Sequence, residues 1–531
     1  MGVGDYILQG ILAFFLGSEL FSIFGIPVSI NIAMVLAGFL LGIMVGATPG
    51  LAGPVAMAIS LPLLLSSFGY HASALLPVLG FLIGIMKGAT VGGAVPAILF
   101  NTPGTPDAYM TTLDGFPMAQ KGQAKKALRI AHFSSASGDT FSDLVLFVCA
   151  PFLAIIIEAH LDLPEKTALL ILSLSFIAAV IGGSPAKGLI STGLGLLAVF
   201  IGTGEDFYPR LSLGTDQLAR GFPITTAVLG VLILGAVFEG IDNLLREKRE
   251  TGSFSAVRES GDQGLHWRDI RRLMPYISRS ALIGTAIGAL PGIGSTLAAT
   301  LGYTVGKSRH QKRKSPDDLD FGAGAPQGIA ATEAANSSVS GANLIPVLSL
   351  GIPGNAAAVF LILAAESIGG FVPGPAVFKF TTDTVNPELV IAFGLFTAMA
   401  FANVLNWTIG GLFMRTMGIM IRIPKQMLLP SVLLLTLTAI YIQETRLEAI
   451  WFALGFGVLG YAMRKLEISP LPFVIAFILG DKLELSARRA FSASGNDPFF
   501  LFSTPIATIL MLLAIGVLVY TARKRRLEAS A

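Results

Sequence analysis

Long apolar runs recur from one end of this 531-residue chain to the other. Runs such as Ile7 to Phe24, Ile224 to Phe238 and Leu501 to Tyr520 approach or reach the ~20 residues that a helix needs to cross the hydrocarbon core of a bilayer. Inside a bilayer the backbone polar groups must be paired within the structure, which a helix achieves by itself. The pattern therefore predicts an all-α polytopic membrane protein with about 12 membrane segments.

The polar positions between these runs indicate orientation, because Lys and Arg favour cytoplasmic loops. Basic segments, assigned to the cytoplasm, lie at 121–129, at Lys187, and at 246–279, 307–314, 415–425, 464–465 and 523–526. Acid-leaning loops, assigned to the outside, lie at 158–165, 205–216 and 366–388. The two sides alternate from residue 120 onward with one exception. The C-terminus is therefore predicted to be cytoplasmic.

The exception is the stretch from Pro275 to Gly306, which is largely apolar but has basic segments at both ends. Its chain must return to the side on which it started. Two full crossings need ~40 residues at about 1.5 Å per residue, more than the stretch contains. We therefore predict a re-entrant hairpin, which occurs at membrane depth only inside protein or beside a water-filled cavity.

Two pairs of similar motifs indicate an internal duplication. GATPGLA begins at Gly46 and matches GALPGIG, which begins at Gly288, 242 residues later. PAILFNTPGT begins at Pro96 and matches PVLSLGIPGN, which begins at Pro346, 250 residues later. The order is kept, and the flanking charges place the two halves in opposite orientations. The sequence thus predicts inverted repeats in residues 1–221 and 222–463, the second with a basic cytoplasmic loop at 242–279, followed by further helices and a basic tail in 464–531.

Each matched motif contains a Pro-Gly pair inside a segment that otherwise has the pattern of a membrane helix. Proline removes a backbone donor and glycine admits left-handed dihedral angles, so each pair is expected to break its helix. A half-helix that begins there presents a partly positive N-terminus to a carboxylate, and freed carbonyl groups suit Na⁺. The alternative, a packing kink, is disfavoured by four pairs in two matched sets. We predict a substrate anion held mainly by backbone N–H groups, without a central arginine, near Gly50, Gly104, Gly292 and Gly354.

Polar side chains crowd the same motifs, and in hydrocarbon they need a partner such as another helix, an ion or a ligand. Asn101 and Asn355 adjoin two of the breaks and are candidates for substrate binding and for ion coupling. Bridging between helices is the alternative role for the serines and threonines. The other substrate-binding candidates are Thr48, Thr102, Thr105, Ser295 and Asn336.

Ionisable residues within apolar segments are functional candidates by default. Glu333 is the one charge in the stretch GIAATEAANSSVSGANLIP and is a candidate for ion coupling; the alternative is a carboxylate near the cytoplasmic end of a helix. Asp139 and Asp143 flank a break in the apolar pattern, and we expect loop-proximal solvation for both. Lys87 lies close to a break, and we expect its ammonium group to reach the membrane interface rather than the substrate.

The composition agrees with a membrane protein and excludes several other classes. Hydrophobic residues make up 53% of the chain and charged residues 13%, a balance in which a soluble domain could not cover its surface. The net charge of +3 suggests no nucleic-acid partner. The scattered histidines, the single Cys149 and an incomplete phosphate-loop pattern in GYTVGKS indicate neither a metal site nor an organic cofactor.

The motifs resemble those of the TctA family, the large membrane subunit of tripartite tricarboxylate transporters. The matching stretches are GATPGLAGPVAMAISLPL, PAILFNTPGTPDAYMTTLDGFPMAQKGQAKKAL, GALPGIGS and EAANSSVSGANLIPVLSLGIPGN, and they fall in both halves of the chain. The resemblance implies a permease of the bacterial inner membrane that works with a small TctB-like membrane subunit and a periplasmic TctC-like solute-binding protein. It also implies import of a small organic carboxylate driven by a gradient of Na⁺ or H⁺.

Three other functions compete with a secondary transporter. A gated channel for small organic anions would show no dependence on an ion gradient, whereas inverted broken helices favour alternating access. An intramembrane enzyme is disfavoured because no catalytic dyad or metal constellation is present in the sequence. An ATP-driven pump is disfavoured because the phosphate-loop pattern is incomplete.

Overall fold

The protein is described here by a computed structural model, which covers residues 2–23, 26–48, 52–181, 184–202, 210–211, 218–219, 221–246, 263–291, 294–313, 318–380, 385–416 and 425–530. Helices dominate these residues, and a short antiparallel hairpin near the N-terminus pairs strands β1 (Glu19–Ile23) and β2 (Ile26–Ser29). The predicted all-α class is confirmed for the described residues apart from this hairpin.

The helices of the first part of the chain begin and end as follows: α1 (Val3–Phe15), α2 (Ile30–Gly46), α3 (Gly53–Phe68), α4 (Leu75–Gly92), α5 (Ala94–Phe100), α6 (Tyr109–Met118), α7 (Ala124–His160), α8 (Leu163–Ile181), α9 (Pro185–Val199), α10 (Ile224–Leu229) and α11 (Gly235–Arg246). Those of the second part are α12 (Trp267–Gly288), α13 (Ser295–Arg313), α14 (Pro326–Ala342), α15 (Leu344–Leu350), α16 (Ala356–Ile368), α17 (Pro387–Leu405), α18 (Gly411–Thr416), α19 (Lys425–Glu444), α20 (Leu447–Lys465), α21 (Leu471–Ala493) and α22 (Pro505–Ser530).

Seven of the described helical segments are long and apolar enough to cross a membrane: Ala72–Phe100, Pro106–His160, Leu163–Val180, Ile224–Arg246, Pro387–Met414, Leu447–Lys465 and Pro505–Arg523. Shorter apolar helices such as α2, α3 and α16 accompany them. A multi-pass membrane protein follows from these segments, and the predicted number of about 12 crossings stays a prediction.

The polarity of α7 is that of a helix whose outer face meets lipid. Val148 and Phe152, one turn apart, are 72% and 66% exposed, whereas Asp139 and Asp143 on another face are 2% and 1% exposed. A soluble protein places its apolar side chains inside and its charges outside. The reverse arrangement fits a helix that exposes apolar side chains to hydrocarbon and keeps polar groups within the protein.

The chain forms two compact units, of which the first comprises residues 1–155, 250–290 and 294–424. Its best-packed pair is α2 with α4, which approach closely because glycines face the other backbone. A Cβ atom at Gly42 would lie 2.5 Å from Ile85 O, and one at Gly88 would overlap Phe39 O. These small residues therefore form a helix-packing surface.

Within this unit the matched motifs occupy matched places. Helices α2 to α6 and helices α12 to α16 follow the same order, with interruptions after α2 and α12 and after α5 and α15. The helices that follow the second interruptions are exchanged: α6 packs against α14, and α16 packs against α4. Residues from both predicted repeats thus combine in one unit, and the predicted domain boundaries stay a prediction.

The second unit comprises residues 156–249, 291–293 and 425–531. Helices α8, α9 and α21 pack together, α22 packs along α8, and α11 and α19 pack on α20. Phe473 and Phe477 stack with ring centroids 6.1 Å apart in its interior. In the same unit, Arg210 forms ion pairs with Asp481 at 2.8 Å and with Glu484 at 2.5 Å.

The stretch predicted as a re-entrant hairpin forms the two helices α12 and α13, which pack against each other. They begin before Pro275 and end after Gly306, with 22 and 19 residues, because both helices extend into the basic flanking segments. At about 1.5 Å per residue each is close to the thickness of the hydrocarbon core, so the length argument used for the sequence does not hold. The re-entrant path stays a prediction that rests on the basic flanks.

Candidate functional site

Two helix interruptions in the first unit contain described Pro-Gly pairs. The first break, defined as residues 101–105, follows α5, which ends because Asn101 adopts a left-handed conformation (φ 54°, ψ 25°). The carbonyl of Pro96 accepts the N–H groups of Asn101 and Thr102, the latter at 3.3 Å. After the break a single 3₁₀ turn at Pro106–Ala108 leads into α6. The predicted helix break at Pro103-Gly104 is therefore confirmed.

The second break, defined as residues 351–355, has the same design. Gly351 takes the left-handed conformation (φ 71°, ψ 23°) that ends α15, and Pro346 O accepts the N–H of Ile352 at 3.2 Å. Asn355 then starts α16, because its side-chain oxygen accepts the N–H of Ala358 at 2.9 Å. Such an N-cap supplies a partner for one of the unpaired donors of the first turn. The break predicted at Pro353-Gly354 is confirmed.

The other two Pro-Gly pairs include Gly50 and Gly292, which lie outside the described residues. The helices around them end at Gly46 and Gly288 and begin again at Gly53 and Ser295. Ser295 is thus the first residue of α13, and the hydroxyl of its neighbour Thr296 donates to Asp107 Oδ1 at 2.6 Å. The start of α13 therefore adjoins the 3₁₀ turn that follows the first break.

The predicted side chains of the first half differ in their environment. Thr48 is buried, and its hydroxyl is used locally, since it donates to Met44 O at 2.9 Å. Gly104 and Thr105 are buried, whereas Asn101 and Thr102 are exposed. A Cβ atom at Gly104 would overlap Gly46 O, so the first break packs directly on the end of α2. The structure brings Thr48, Gly104 and Thr105 into one region beside this helix end.

In the second half the unpaired groups concentrate on α14. The side-chain amides of Asn336 and Asn343 are buried and form no hydrogen bond among the described residues. Thr332, Asn336 and Asn343 follow helical spacing, so they share one face. A Cβ atom at Gly354 would lie 3.3 Å from Asn343 Cβ, which places Asn343 next to the second break. In the sequence, Asn343 is one of the polar side chains that crowd the second matched motif and need a partner.

Glu333 is fully buried in the middle of α14, so the alternative placement near the cytoplasmic end of a helix is not what the structure has. Its Oε1 accepts the hydroxyl of Thr111 from α6, and its Oε2 has no hydrogen-bond partner among the described residues. Near it, Asp114 Oδ1 accepts the backbone N–H groups of Gly322 and Ala325, both at 2.8 Å. One carboxylate from α6 and one from α14 are therefore buried where these two helices pack together.

A second charged group in this unit was interpreted wrongly from the sequence. Lys87 does not reach an interface: its ammonium lies 2.8 Å from Asp139 Oδ1 and 2.8 Å from Asp143 Oδ2, and all three side chains are buried. Asn403 on α17 and Ser340 on α14 complete the group. The aspartates are not solvated near a loop because α7 continues through them to His160. We call these five residues the Lys87 cluster. The spacing of four between the aspartates, which places both on one helix face, was the available signal.

The segments that form this site also resemble those of known proteins. The model of the tripartite tricarboxylate transporter TctA family matches residues 32–475. The chain belongs to this family. The matched region includes both described breaks, Glu333 and the Lys87 cluster. Members of the TctA family are components of a transporter rather than enzymes, so these buried polar groups belong to a membrane transport protein.

Two relatives of this TctA family chain come from Agrobacterium vitis. One is described as an uncharacterized 52.8 kDa protein in the TAR-I ttuC' 3' region and is 30% identical over 496 residues, 92% of each chain. The other is described as an uncharacterized protein in the TAR-II ttuC' 3' region and is 30% identical over 236 residues, 44% of this chain and 90% of its own. No solved structure matched the chain.

Proposed function

We propose that the chain is the permease subunit of a secondary transporter that imports small organic carboxylates with a gradient of Na⁺ or H⁺. Its place is the inner membrane of a bacterium, with the C-terminus in the cytoplasm. A small TctB-like membrane subunit accompanies it, and a periplasmic TctC-like protein delivers the substrate. Membership of the TctA family supports the transport of tricarboxylates as a class.

The observation that carries the proposal is the start of α16. The backbone N–H groups of Gly354 and Asn355 form no hydrogen bond among the described residues. Ala356 and Ala357 are the first two residues of α16, and N–H groups at a helix start have no acceptor within the helix. Four adjacent donors at the positive end of a helix dipole make an anion site without a basic side chain. No acidic residue lies in the first turn of α16.

The first break is less suited to an anion. Pro106 has no N–H group, Asp107 carries a negative charge in the turn that follows, and the N–H of Gly104 already faces Gly93 O at 3.4 Å. We therefore assign the substrate carboxylate mainly to the second break and its neighbour Asn343. The first break contributes the exposed amide of Asn101 and the hydroxyl of Thr102.

The exchanged packing of α6 and α16 supports inverted repeats and a transport cycle. Each of these helices follows a break in its own half and packs against a helix of the other half: α6 packs against α14, and α16 packs against α4. A movement of one half relative to the other would shift both breaks together, which is how broken helices serve alternating access. Glu333 and the unpaired amides of α14 supply oxygen atoms and a carboxylate for a coupling cation.

The test is uptake of radioactive citrate into liposomes that contain the purified chain. Imposed inward gradients of Na⁺ and of H⁺ are compared with no gradient, each with and without the small membrane subunit and the binding protein. A gradient-dependent accumulation above the external concentration is expected. Equilibration that ignores both gradients would favour the gated channel instead.

A pair of variants tests the anion site. Ala356→Asp places a negative charge in the first turn of α16, where an acid stabilises a helix but repels a bound carboxylate. We expect the KM for citrate to rise about tenfold, equivalent to about 1.4 kcal/mol, while insertion and thermal stability are kept. Ala356→Asn is the neutral control of nearly the same size and should change the KM far less. Equal effects of both variants would contradict an anion site at this helix start.

A further inference from the structure

The Lys87 cluster joins four helices of the first unit in one buried group. The Lys87 ammonium, from α4, uses all its donors: Asp139 Oδ1 and Asp143 Oδ2 on α7, each at 2.8 Å, and Asn403 Oδ1 on α17 at 3.3 Å. Asn403 in turn donates to Asp143 Oδ2 at 2.7 Å, and Ser340 on α14 donates to Asp139 Oδ1. The cluster therefore contacts elements of both predicted repeats.

The charges of the cluster do not cancel. One ammonium faces two carboxylates, so the group carries one negative charge when all three are ionised, at side-chain exposures of 0%, 3% and 1%. An uncompensated charge that is shielded from water is costly, and binding of one cation removes it. Within the cluster, Asp143 Oδ1 is buried and accepts no hydrogen bond from the described residues.

The space at Asp143 Oδ1 suits a proton better than a metal ion. A Cβ atom at Gly341 would overlap Asp143 Oδ1, so the backbone of α14 already lies against this oxygen. The Ser142 hydroxyl beside it donates to Asp139 O at 3.0 Å. A sodium ion needs several oxygen ligands around it and the room to hold them, whereas a proton needs one lone pair.

We propose that Asp143 is the proton carrier that couples transport to a proton gradient, with Lys87 and Asp139 as its fixed counter-charges. The proposal rests on the proposed function, specifies its coupling ion, and places the coupling proton on Asp143 rather than on Glu333. A proton adds to Oδ1 of the ionised Asp143 and forms a neutral carboxylic acid, which leaves Lys87 paired with Asp139 and the cluster uncharged. Loss of the proton to the other side of the membrane restores the negative charge.

Other titratable groups lie on the helices packed around the cluster. Glu333 is two turns before Ser340 on α14 and bonds to Thr111, and His132 is two turns before Asp139 on α7 and bonds to Asn406 O at 2.8 Å. Helices α16 and α17 carry Glu366 and Glu388, both partly exposed and near helix ends. The sequences of α2 and α3 contain no titratable side chain. The charge of the cluster itself is therefore set by Lys87 and the two aspartates.

The first test does not require transport. Infrared difference spectra of the protein in lipid record the band of protonated carboxyl groups as the buffer is acidified from about pH 8 to about pH 6, a range above that in which an exposed aspartate of ordinary pKa takes up a proton. We expect part of this band to be missing in Asp143→Asn and fully present in Asp162→Asn, whose side chain is exposed. A band of equal size in both variants would overturn the proposal. In the wild-type protein, the carboxyl reagent dicyclohexylcarbodiimide should modify Asp143 more in acid than in alkaline buffer, and absence of that label would also overturn it.

The second test separates coupling from substrate binding. In liposomes with citrate on both sides, Asp143→Asn should keep citrate exchange, because exchange needs no net proton movement. It should lose accumulation driven by an acid exterior, while Asp162→Asn keeps both. Acid-driven accumulation by Asp143→Asn would refute Asp143 as the carrier. Failure of the wild-type protein to exchange citrate or any other small carboxylate offered would instead refute the proposed function, and the infrared result would still decide the proton site.

Discussion

At the scale of single residues, the buried charges of the first unit depend on one another. Lys87 compensates two carboxylates that would otherwise face each other without solvent, and Asn403 and Ser340 satisfy further lone pairs. A buried ion pair adds little stability compared with apolar side chains, but removal of one partner is costly because the other charge stays buried. The cluster is therefore sensitive to single changes and tolerant of changes that remove all its charges together.

We expect Lys87→Met to lower the free energy of unfolding by about 3–5 kcal/mol, since it leaves both aspartates unpaired. Denaturation of the purified protein in mixed micelles measures the loss. The control is Lys166→Met, because Lys166 is 38% exposed and its ion pair with Glu158 is long at 3.8 Å. The control should change stability by less than about 1 kcal/mol. A triple variant that combines Lys87→Met with Asp139→Asn and Asp143→Asn should recover most of the lost stability. Equal losses of stability in Lys87→Met and in Lys166→Met would contradict a compensating role for Lys87.

At the scale of single elements, both described breaks use the same device. A short helix ends in a left-handed residue, a proline carbonyl one turn earlier accepts the next free N–H group, and the chain restarts after Pro-Gly. Glycine adopts the left-handed conformation without steric cost, as at Gly351, and asparagine tolerates it, as at Asn101. The restart differs between the halves, because Asn355 caps its helix by a side-chain hydrogen bond and Thr105 does not.

The cap complicates the prediction that Asn101 and Asn355 bind substrate or cation. Asn355→Ala should cost about 1 kcal/mol of stability through loss of the cap alone. Asn355→Ser keeps an N-cap oxygen and removes the amide nitrogen. Asn101→Gly keeps the left-handed conformation, because glycine already occupies the matching position, Gly351, in the second break. We expect both of these variants to insert normally and to weaken ion-dependent citrate uptake. If their uptake kinetics match those of the wild-type protein, the two asparagines serve only to shape the breaks.

At the scale of the whole molecule, the open question is the path of α12 and α13 through the bilayer. Their lengths permit crossing, but α13 ends in basic residues that favour the same side as the basic segment before α12. Two helices that start and end on one side can cross twice or turn back inside the protein. The turn between them, near Gly294, therefore has a different location in the two cases.

Cysteine labelling decides between these paths. In a background with Cys149→Ser, Gly294→Cys is suitable because a Cβ atom there meets no other atom within 4 Å. We expect Gly294→Cys to resist an impermeant maleimide added outside intact cells and to react only when the reagent reaches the protein interior. Lys307→Cys, at an exposed position, should react only after the membrane is opened. Rapid external labelling at position 294 would show two full crossings.

The sequence by itself determined the membrane class, the family and the places of the breaks. These depend on local properties: length of apolar runs, backbone freedom of Pro and Gly, and motifs that recur in order. Such properties act within a few residues of each other, so they can be read before the fold is known. The Pro-Gly breaks at 103–104 and 353–354 are examples.

Only the tertiary structure decided which polar groups meet. Lys87 and Asn403 are 316 residues apart and meet because α17 packs on α4. Thr111 and Glu333 are 222 residues apart and meet because α6 packs on α14. A charged side chain in an apolar helix is expected at an interface when its partner is unknown, and that expectation was wrong for Lys87, Asp139 and Asp143. The reason is that the cost of burying a charge depends on what lies within a few ångströms in space, which only the packing of the helices provides.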